Sequence, residues 1–285
     1  MQVAAPLGFR LATTAKSHGW YDLPPFAYDA DAGRLSRVLT VGTRVLDVAI
    51  VQSGATLEIS GADKKSERAV VAQVRSMLRL DEDLAPLYAL SDEDPHLAYA
   101  RQEGAGRLLR APTMFEDVIK MLLTTNCSWS FTRQMVGRLV EQLGSAAPSG
   151  QRAFPTPAQM AAVAPAFYRD QIRAGYRAPH LAFIAREVAA GKLDLESLRG
   201  ESDDPETLRK QLMALPGIGP YAADNLLRLV GAYGYLGLDS WCRGKLKQLY
   251  PRTRDVDAGA HRRYRRYGAY QGLAMWLDLT RDWHV

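Results

Sequence analysis

The amino-acid sequence predicts an α+β protein, in which an N-terminal antiparallel β-sheet layer is followed by an all-helical core. Three runs rich in β-branched residues are separated by glycine turns and predict strands. They span residues 35–41, 43–51 and 56–60. Beyond acidic junctions at 81–83 and 91–95, apolar residues recur at helical spacing. We therefore expect residues 1–90 to form a β-sheet domain with a covering helix, and residues 91–285 to form the helical core.

The N-terminal region carries two further elements. Residues 9–12 predict a short strand, and residues 20–28 form an aromatic segment interrupted by prolines. Between residues 64 and 80, valines and other apolar residues make one helical stripe, which predicts a helix lying across the sheet. Because no set of residues with catalytic potential occurs here, we interpret this region as a scaffold.

The helical core begins with a capping box, Thr113-Met114-Phe115-Glu116, in which the first and last side chains can satisfy each other's free amides. The apolar residues that follow predict a helix that ends in the polar turn at 124–129. The remaining predicted elements are a helix through 143, a loop at 146–155, helices after 156 and 179, and a final helix over about 261–279.

Two more helices are separated by the turn Leu215-Pro216-Gly217-Ile218-Gly219-Pro220-Tyr221. Asp204 can cap the first helix, and the second runs over about 221–230. Two glycines let the backbone approach a ligand closely, and the unpaired amides at the start of the second helix favour an anion. The turn therefore predicts a phosphate-binding site, with an ordinary helix–helix connection as the alternative.

Charge and cysteine content restrict the class of protein. The chain has 285 residues, a formal net charge of +5 and two cysteines, and its pI is near 9.2. Residues 243–266 carry nine arginines and lysines interleaved with tyrosines, which favours a phosphate-facing surface over a solvated helical face.

The sequence has no membrane-spanning run and no signal pattern, so we expect an intracellular protein of the cytoplasm, nucleoid or nucleus, acting as a monomer.

The turn at 215–221 resembles the helix-hairpin-helix of the HhH-GPD DNA glycosylase superfamily, which includes alkylpurine and 8-oxoguanine glycosylases. In that superfamily an essential Asp lies about twenty residues past the second hairpin glycine, where this chain has Asp239. The segments 115–129, 174–178 and 267–274 are also similar to this superfamily. The resemblance extends from about Phe9 to Trp283 and implies an extra sheet domain before a glycosylase core in two lobes. Two cysteines are too few for an iron–sulfur cluster, and we expect no metal or cofactor.

The resemblance implies a role for each matching residue. Asp239 would stabilise positive charge on the sugar and activate water, although it can also simply cap the helix that begins at Ser240. Asn126 matches the residue that fills the gap left by a flipped base. The expected contacts with double-stranded DNA are Leu215, Gly217, Ile218, Gly219, Tyr221, Asn126 and Arg243.

Two departures from the family pattern indicate the subclass. Tyr221 stands where bifunctional members have a Schiff-base lysine, and a phenol cannot form an imine. Met275 stands where 8-oxoguanine enzymes have a Gln that reads the guanine edge. With Trp129 and Trp241, Met275 is expected to line a base pocket. These features predict a monofunctional glycosylase for alkylated purines in base excision repair. The alternatives are an atypical 8-oxoguanine glycosylase and a non-catalytic protein that binds DNA lesions.

Overall fold

The computed structural model describes residues 1–199 and 204–284. Its sheet has five antiparallel strands in the order β1-β5-β4-β3-β2. The strands are β1 Gln2–Ala4, β2 Phe26–Asp29, β3 Arg34–Val41, β4 Arg44–Ser53 and β5 Thr56–Ser60. The three strands predicted from β-branched runs are confirmed as β3, β4 and β5. None of the helices within the described residues has the length and apolar character needed to span a bilayer.

Helices account for most of the rest of the described chain. They are α1 Leu11–Ala15, α2 Glu67–Leu78, α3 Ala85–Ser91, α4 Tyr99–Gln102, α5 Met114–Thr124, α6 Trp129–Leu143, α7 Pro157–Ala161, α8 Pro165–Asp170, α9 Ala178–Ala189, α10 Pro205–Met213, α11 Pro220–Val230, α12 Ser240–Leu249, α13 Val256–Tyr264 and α14 Gln271–Leu279. Short 3₁₀ turns cover Gly19–Asp22, Gly175–Arg177, Glu196–Arg199, Arg265–Tyr270 and Arg281–Trp283.

Two local predictions are wrong. Residues 9–12 do not form a strand, because Leu11 and Ala15 recur at helical spacing and are both buried, in α1. The first strand is instead β1, a three-residue strand paired with β5 and too short to show a pattern. The predicted helix over 261–279 is two helices, because Gly268 has a left-handed φ of 53° that interrupts the helical path.

Helix α5 lies at the centre of the molecule. Ten of its residues, from Met114 to Leu123, are buried, and it packs against α6 and α11. Thr113 caps it by accepting a hydrogen bond from the amide of Glu116. The Glu116 side chain does not complete the predicted capping box, because it turns inward to Arg37 on β3.

A buried group of charges joins the sheet to α5. The Glu116 carboxylate lies 2.5 Å from Arg37 and 2.7 Å from the Lys120 ammonium, and all three side chains are at most 3% exposed. The next residue, Asp117, accepts a hydrogen bond from the Trp20 indole at 2.7 Å. Arg199 pairs with the other oxygen of Asp117 at 2.6 Å. The hydrogen bond to Asp117 holds Trp20 against α5, with its ring centre 6.0 Å from the Lys120 ammonium.

Side chains from both regions of the chain belong to one hydrophobic cluster, which includes Leu35 of the sheet, Val74 of α2 and Leu226 of α11. The division into residues 1–90 and 91–285 therefore stays a prediction about how the chain is organised. What matters for the site is that the segment between β1 and β2 packs directly on the helical core.

Candidate active site

A cavity of about 690 Å³ opens where the N-terminal 3₁₀ turn meets α5, α6, α11, α12 and α14. Five tryptophans line it, and they are all the tryptophans in the chain. They are Trp20, Trp129, Trp241, Trp276 and Trp283. The last three pack together, with ring centroids 5.7 to 5.9 Å apart. Such a wall suits a flat, apolar or aromatic ligand.

Asp239 lies in the wall of this cavity, at the N-terminus of α12. Its Oδ1 accepts the amide hydrogen of Cys242 at 2.7 Å, so the capping contact considered as an alternative does exist. Burial and the Asp239 charge raise the pKa of the Cys242 thiol to about 12, which keeps the thiol protonated. A carboxylate has about four acceptor positions, so capping does not prevent it from acting on a ligand.

Tyr221 also lines the cavity, as the second residue of α11. Burial and the nearby Asp239 charge raise the pKa of its phenol, which therefore stays neutral, and its hydroxyl shares a hydrogen bond with Thr124. The position that would hold a lysine in a bifunctional enzyme thus places a neutral hydroxyl beside the carboxylate. This arrangement provides a hydrogen-bond donor but no amine.

Trp129 is held at the rim of the cavity by the N-terminal segment. Its indole N–H donates to Asp22 at 2.8 Å. Its ring lies against the backbone of Gly19, where a Cβ would collide with it. Arg133, one turn further along α6, also pairs with Asp22 at 3.3 Å. Trp129 is 39% exposed in spite of these contacts, so one part of a rigidly held ring remains open.

Met275 is not part of the cavity wall, contrary to the sequence-based prediction. It is 0% exposed, whereas the next residue, Trp276, lines the cavity. Adjacent positions on a helix point about 100° apart, and the Trp276 indole is anchored on the Ser17 carbonyl at 2.9 Å. The side chain of α14 that faces a ligand is therefore an indole, and Met275 packs in the core.

The hairpin glycines differ in their surroundings. Gly217 has a φ of 84°, and an added Cβ would lie 2.7 Å from Leu122 and 2.8 Å from His180. Gly219 has a φ of −91° and open space around the position of an added Cβ. Leu215 and Ile218 are buried, so they anchor the turn and leave its backbone outermost. The start of α11 at Gly219 has no side-chain cap, and its amides remain available.

Asn126 lies in an exposed turn between α5 and α6, in a left-handed conformation with φ of 46°. Its side-chain amide donates to the hydroxyl of Tyr176 at 3.0 Å. Tyr176 is 53% exposed, and the guanidinium of Arg177 lies 4.5 Å from the centre of its ring. Arg177 also donates to the Thr125 carbonyl, which ties the two segments into one protrusion. Tyr176 lies within the segment 174–178 that is similar to the superfamily, but the sequence pattern predicts no role for it.

Arg243 lies outside the cavity. It forms a two-pronged ion pair with Asp257 of α13, with both distances 2.8 Å. Its side chain is 43% exposed, so part of it faces solvent. The predicted contact of Arg243 with DNA stays a prediction.

The interpretation of the N-terminal region as a scaffold is incomplete. His18 and Trp20 line the cavity, together with Arg228 from α11. None of the three was predicted to line the pocket, because they come together only through contacts between segments far apart in the chain. The aromatic density at residues 20–28 was the only local signal.

Comparisons with known proteins agree on the fold. No family model matches the chain. It is 27% identical over 221 residues to a probable N-glycosylase/DNA lyase of Methanothermobacter thermautotrophicus, covering 67% of this chain and 69% of that one. The structure of a 3-methyladenine DNA glycosylase from Archaeoglobus fulgidus superimposes with a TM-score of 0.78, at 19% identity and 98% coverage of both chains.

A second solved structure contains DNA. It is a Clostridium acetobutylicum 8-oxoguanine glycosylase/lyase in complex with double-stranded DNA containing cytosine opposite 8-oxoguanine. It matches with a TM-score of 0.74 at 18% identity, over 96% of this chain and 92% of that one. The chain therefore has the fold of the HhH-GPD DNA glycosylases, and its homologues and structural neighbours are DNA glycosylases.

Proposed function

We propose that the protein is a monofunctional DNA glycosylase that flips a damaged purine out of double-stranded DNA and hydrolyses its N-glycosidic bond. The observation that carries this proposal is Asp239, placed in the wall of a tryptophan-lined cavity beside a neutral Tyr221. A protein that only binds lesions would gain little from a carboxylate in such a pocket. The non-catalytic alternative is disfavoured for that reason.

The chemistry follows from the carboxylate. As the bond to the base breaks, positive charge builds up on the deoxyribose, and a fixed anion nearby stabilises it. The same carboxylate can orient water and take its proton as the water attacks C1′. The Cys242 amide holds the carboxylate in place, and the Tyr221 hydroxyl can donate to a polar atom in the cavity. The product is an abasic site with the strand intact.

The aromatic lining supports a damaged base as the ligand. Indole rings stack on any flat base, and an alkylated purine is electron-poor and gains most from such stacking. The neighbours are named for both 3-methyladenine and 8-oxoguanine. We place the alkylated purines first, as the sequence suggested, and keep an atypical 8-oxoguanine enzyme as the second candidate.

Two surfaces next to residues that line the cavity would contact a duplex. The hairpin backbone at Gly217 and Gly219 would hold a phosphate with the first amides of α11. The protrusion of Asn126 and Tyr176 would enter the base stack and occupy the space left by the flipped base. Neither role requires a second copy of the chain, and we propose that a monomer acts on DNA.

Gly219→Ala is expected to weaken binding to damaged and undamaged duplex alike, because a methyl group would occupy the space that a phosphate approaches. The fold should be unaffected, since Gly219 has an ordinary φ and an added Cβ meets nothing. Binding is measured by fluorescence anisotropy with both duplexes. Unchanged affinity for both duplexes would show that the hairpin is only a turn.

Asn126→Ala is expected to slow excision from paired duplex more than from single-stranded DNA, where extrusion of the base costs less. The measurement is single-turnover excision of one lesion in both contexts. Ser130→Ala, another exposed position in the same region, serves as the control. Equal losses on the two substrates would place Asn126 outside the duplex.

The proposed function is tested by incubating the protein with duplexes that each carry one alkylated, oxidised or deaminated purine. Abasic sites are then revealed by cleavage with hot alkali. Release of at least one damaged base, with undamaged duplex left intact, is the expected result. Tight binding of duplex without release of any base would favour the lesion-binding alternative.

A further inference from the structure

We propose that the pocket selects a damaged base that is electrically neutral and offers an N–H donor, with Arg228 rejecting cationic bases and His18 accepting the N–H. This inference rests on the proposed function and names the class of lesion that the same cavity takes. It separates damaged purines by the charge on the base.

Arg228 is a buried cation in the wall of the cavity. It is 3% exposed, and its guanidinium donates to Asn225 at 3.0 Å and to the Leu236 carbonyl at 2.7 Å. Both partners are neutral, and within residues 1–199 and 204–284 no carboxylate forms an ion pair with it. Its Nε has no hydrogen-bond partner there. An arginine stays charged in a protein, so Arg228 places a fixed positive charge in this part of the wall. Burial lowers the pKa of Arg228, while the Asp224 and Asp239 carboxylates act on this charge without forming an ion pair with it and raise the pKa.

The same guanidinium lies 5.3 Å from the ring centre of Trp276, which itself lines the cavity. A ring that already binds one cation on its face offers a second cation less attraction, and the two cations also repel each other. The tryptophan wall therefore does not act as a cage for a positively charged purine at this end.

His18 supplies a neutral acceptor on the same cavity wall. Its Nε2 lies 2.5 Å from the Leu109 carbonyl, and because a carbonyl can only accept, Nε2 must carry the proton. Burial, together with the Arg228 and Lys120 charges, lowers the pKa of His18 to about 4, so the ring is neutral near pH 7. Nδ1 therefore has a free lone pair, and none of the described residues donates to it. An N–H on a flipped base is the natural partner.

Damaged bases differ in their charge and in whether they carry an N–H donor, the two properties on which this pocket would select. N7-methylguanine and N3-methyladenine carry a positive charge on the base. Hypoxanthine and 8-oxoguanine are neutral and have ring N–H groups, whereas 1,N6-ethenoadenine is neutral and has no N–H on its modified edge. Among alkylated purines, the pocket should therefore favour neutral bases over the cationic pair. This restricts the class placed first under the proposed function to its neutral members. For the same reason the pocket should accept hypoxanthine and 8-oxoguanine in preference to the cationic pair.

The charge is tested with Arg228→Met and Arg228→Lys, which both lose the forked hydrogen bonds but differ in charge. The single-turnover rate constant for excision is measured for N7-methylguanine and for hypoxanthine. Each rate constant is divided by the rate constant of spontaneous loss of the same base from the same DNA, which gives a rate enhancement for each lesion. Wild type and Arg228→Lys should favour hypoxanthine in this ratio by about tenfold or more, as one unit charge in a partly buried site implies. Arg228→Met should lose most of that preference.

The controls separate this inference from the proposed function. Thermal melting and affinity for undamaged duplex show whether each variant folds and binds. If wild type releases no lesion at all, the proposed function fails. If wild type releases lesions but accelerates cationic and neutral bases equally, or if Arg228→Met keeps the wild-type preference, only the charge selection is wrong.

The acceptor is tested with His18→Phe and His18→Asn. Phenylalanine removes both ring nitrogens, whereas asparagine can still donate to Leu109 and present an acceptor. His18→Phe should lose at least about tenfold more activity on hypoxanthine than on ethenoadenine, because loss of one buried hydrogen bond has an effect of about this size. His18→Asn should restore part of the difference. Equal losses on both lesions in a folded His18→Phe protein would overturn the role of His18.

Discussion

Asp239→Asn is expected to slow single-turnover base excision by at least about a hundredfold while DNA binding is kept. Asparagine caps a helix about as well as aspartate, so the hydrogen bond from the Cys242 amide should survive and stability should change little. The substitution removes the negative charge that stabilises the sugar and the base that accepts a proton from water. Affinity for duplex should hold or rise slightly, because a negative charge near phosphates is lost.

A matched control for this variant exists on the next helix. Asp255 caps α13 in the same way, accepting the amide hydrogen of Ala258 at 3.1 Å, and it does not line the cavity. Asp255→Asn should therefore leave excision unchanged. If Asp239→Asn retained near wild-type excision, Asp239 would be only a helix cap and the mechanism would be wrong.

Glu116→Gln is expected to lower the free energy of unfolding by about 3–5 kcal/mol, because it leaves Arg37 and Lys120 as buried cations without their shared anion. Burial alone would raise the pKa of Glu116, but the two neighbouring cations outweigh it and lower the pKa, so the carboxylate is charged in the folded protein. Unfolding in urea, followed by tryptophan fluorescence, measures the change.

The control for this prediction is an exposed pair of the same type. Glu206 and Lys210 on α10 form an ion pair at 2.9 Å, with side chains that are 66% and 74% exposed. Glu206→Gln should cost less than about 1 kcal/mol, because water screens the pair. If Glu116→Gln destabilised the protein no more than Glu206→Gln, the buried charges would not connect the sheet to α5 as described.

The parts of the site that could be predicted from the sequence are those whose signal lies in residues close together in the chain. The hairpin was recognisable because its glycines and prolines lie within seven consecutive residues, and Asp239 follows at a fixed interval. The β-branched runs predicted the strands of the sheet for the same reason. Such signals depend on residues adjacent in the chain, so they do not require knowledge of how segments pack.

The parts that sequence did not predict depend on packing between distant segments or on helix rotation. His18 joins the cavity through contact with Leu109, 91 residues away. Met275 and Trp276 are adjacent on α14, and helical periodicity does not determine to within one residue which side chain faces a ligand. The break at Gly268 was hidden because the apolar stripe continues on both sides of it.

The central claim is that the protein hydrolyses the glycosidic bond without forming a covalent bond to the sugar. Excision in the presence of sodium borohydride tests it most directly, because borohydride converts an imine into a stable protein–DNA adduct. Tyr221→Lys, which places an amine at the position of the phenol, serves as a positive control for trapping. We predict that wild type releases the base, leaves a strand that breaks only in hot alkali, and gives no trapped adduct. A strong trapped band with wild type would contradict the account and assign the chemistry to an amine.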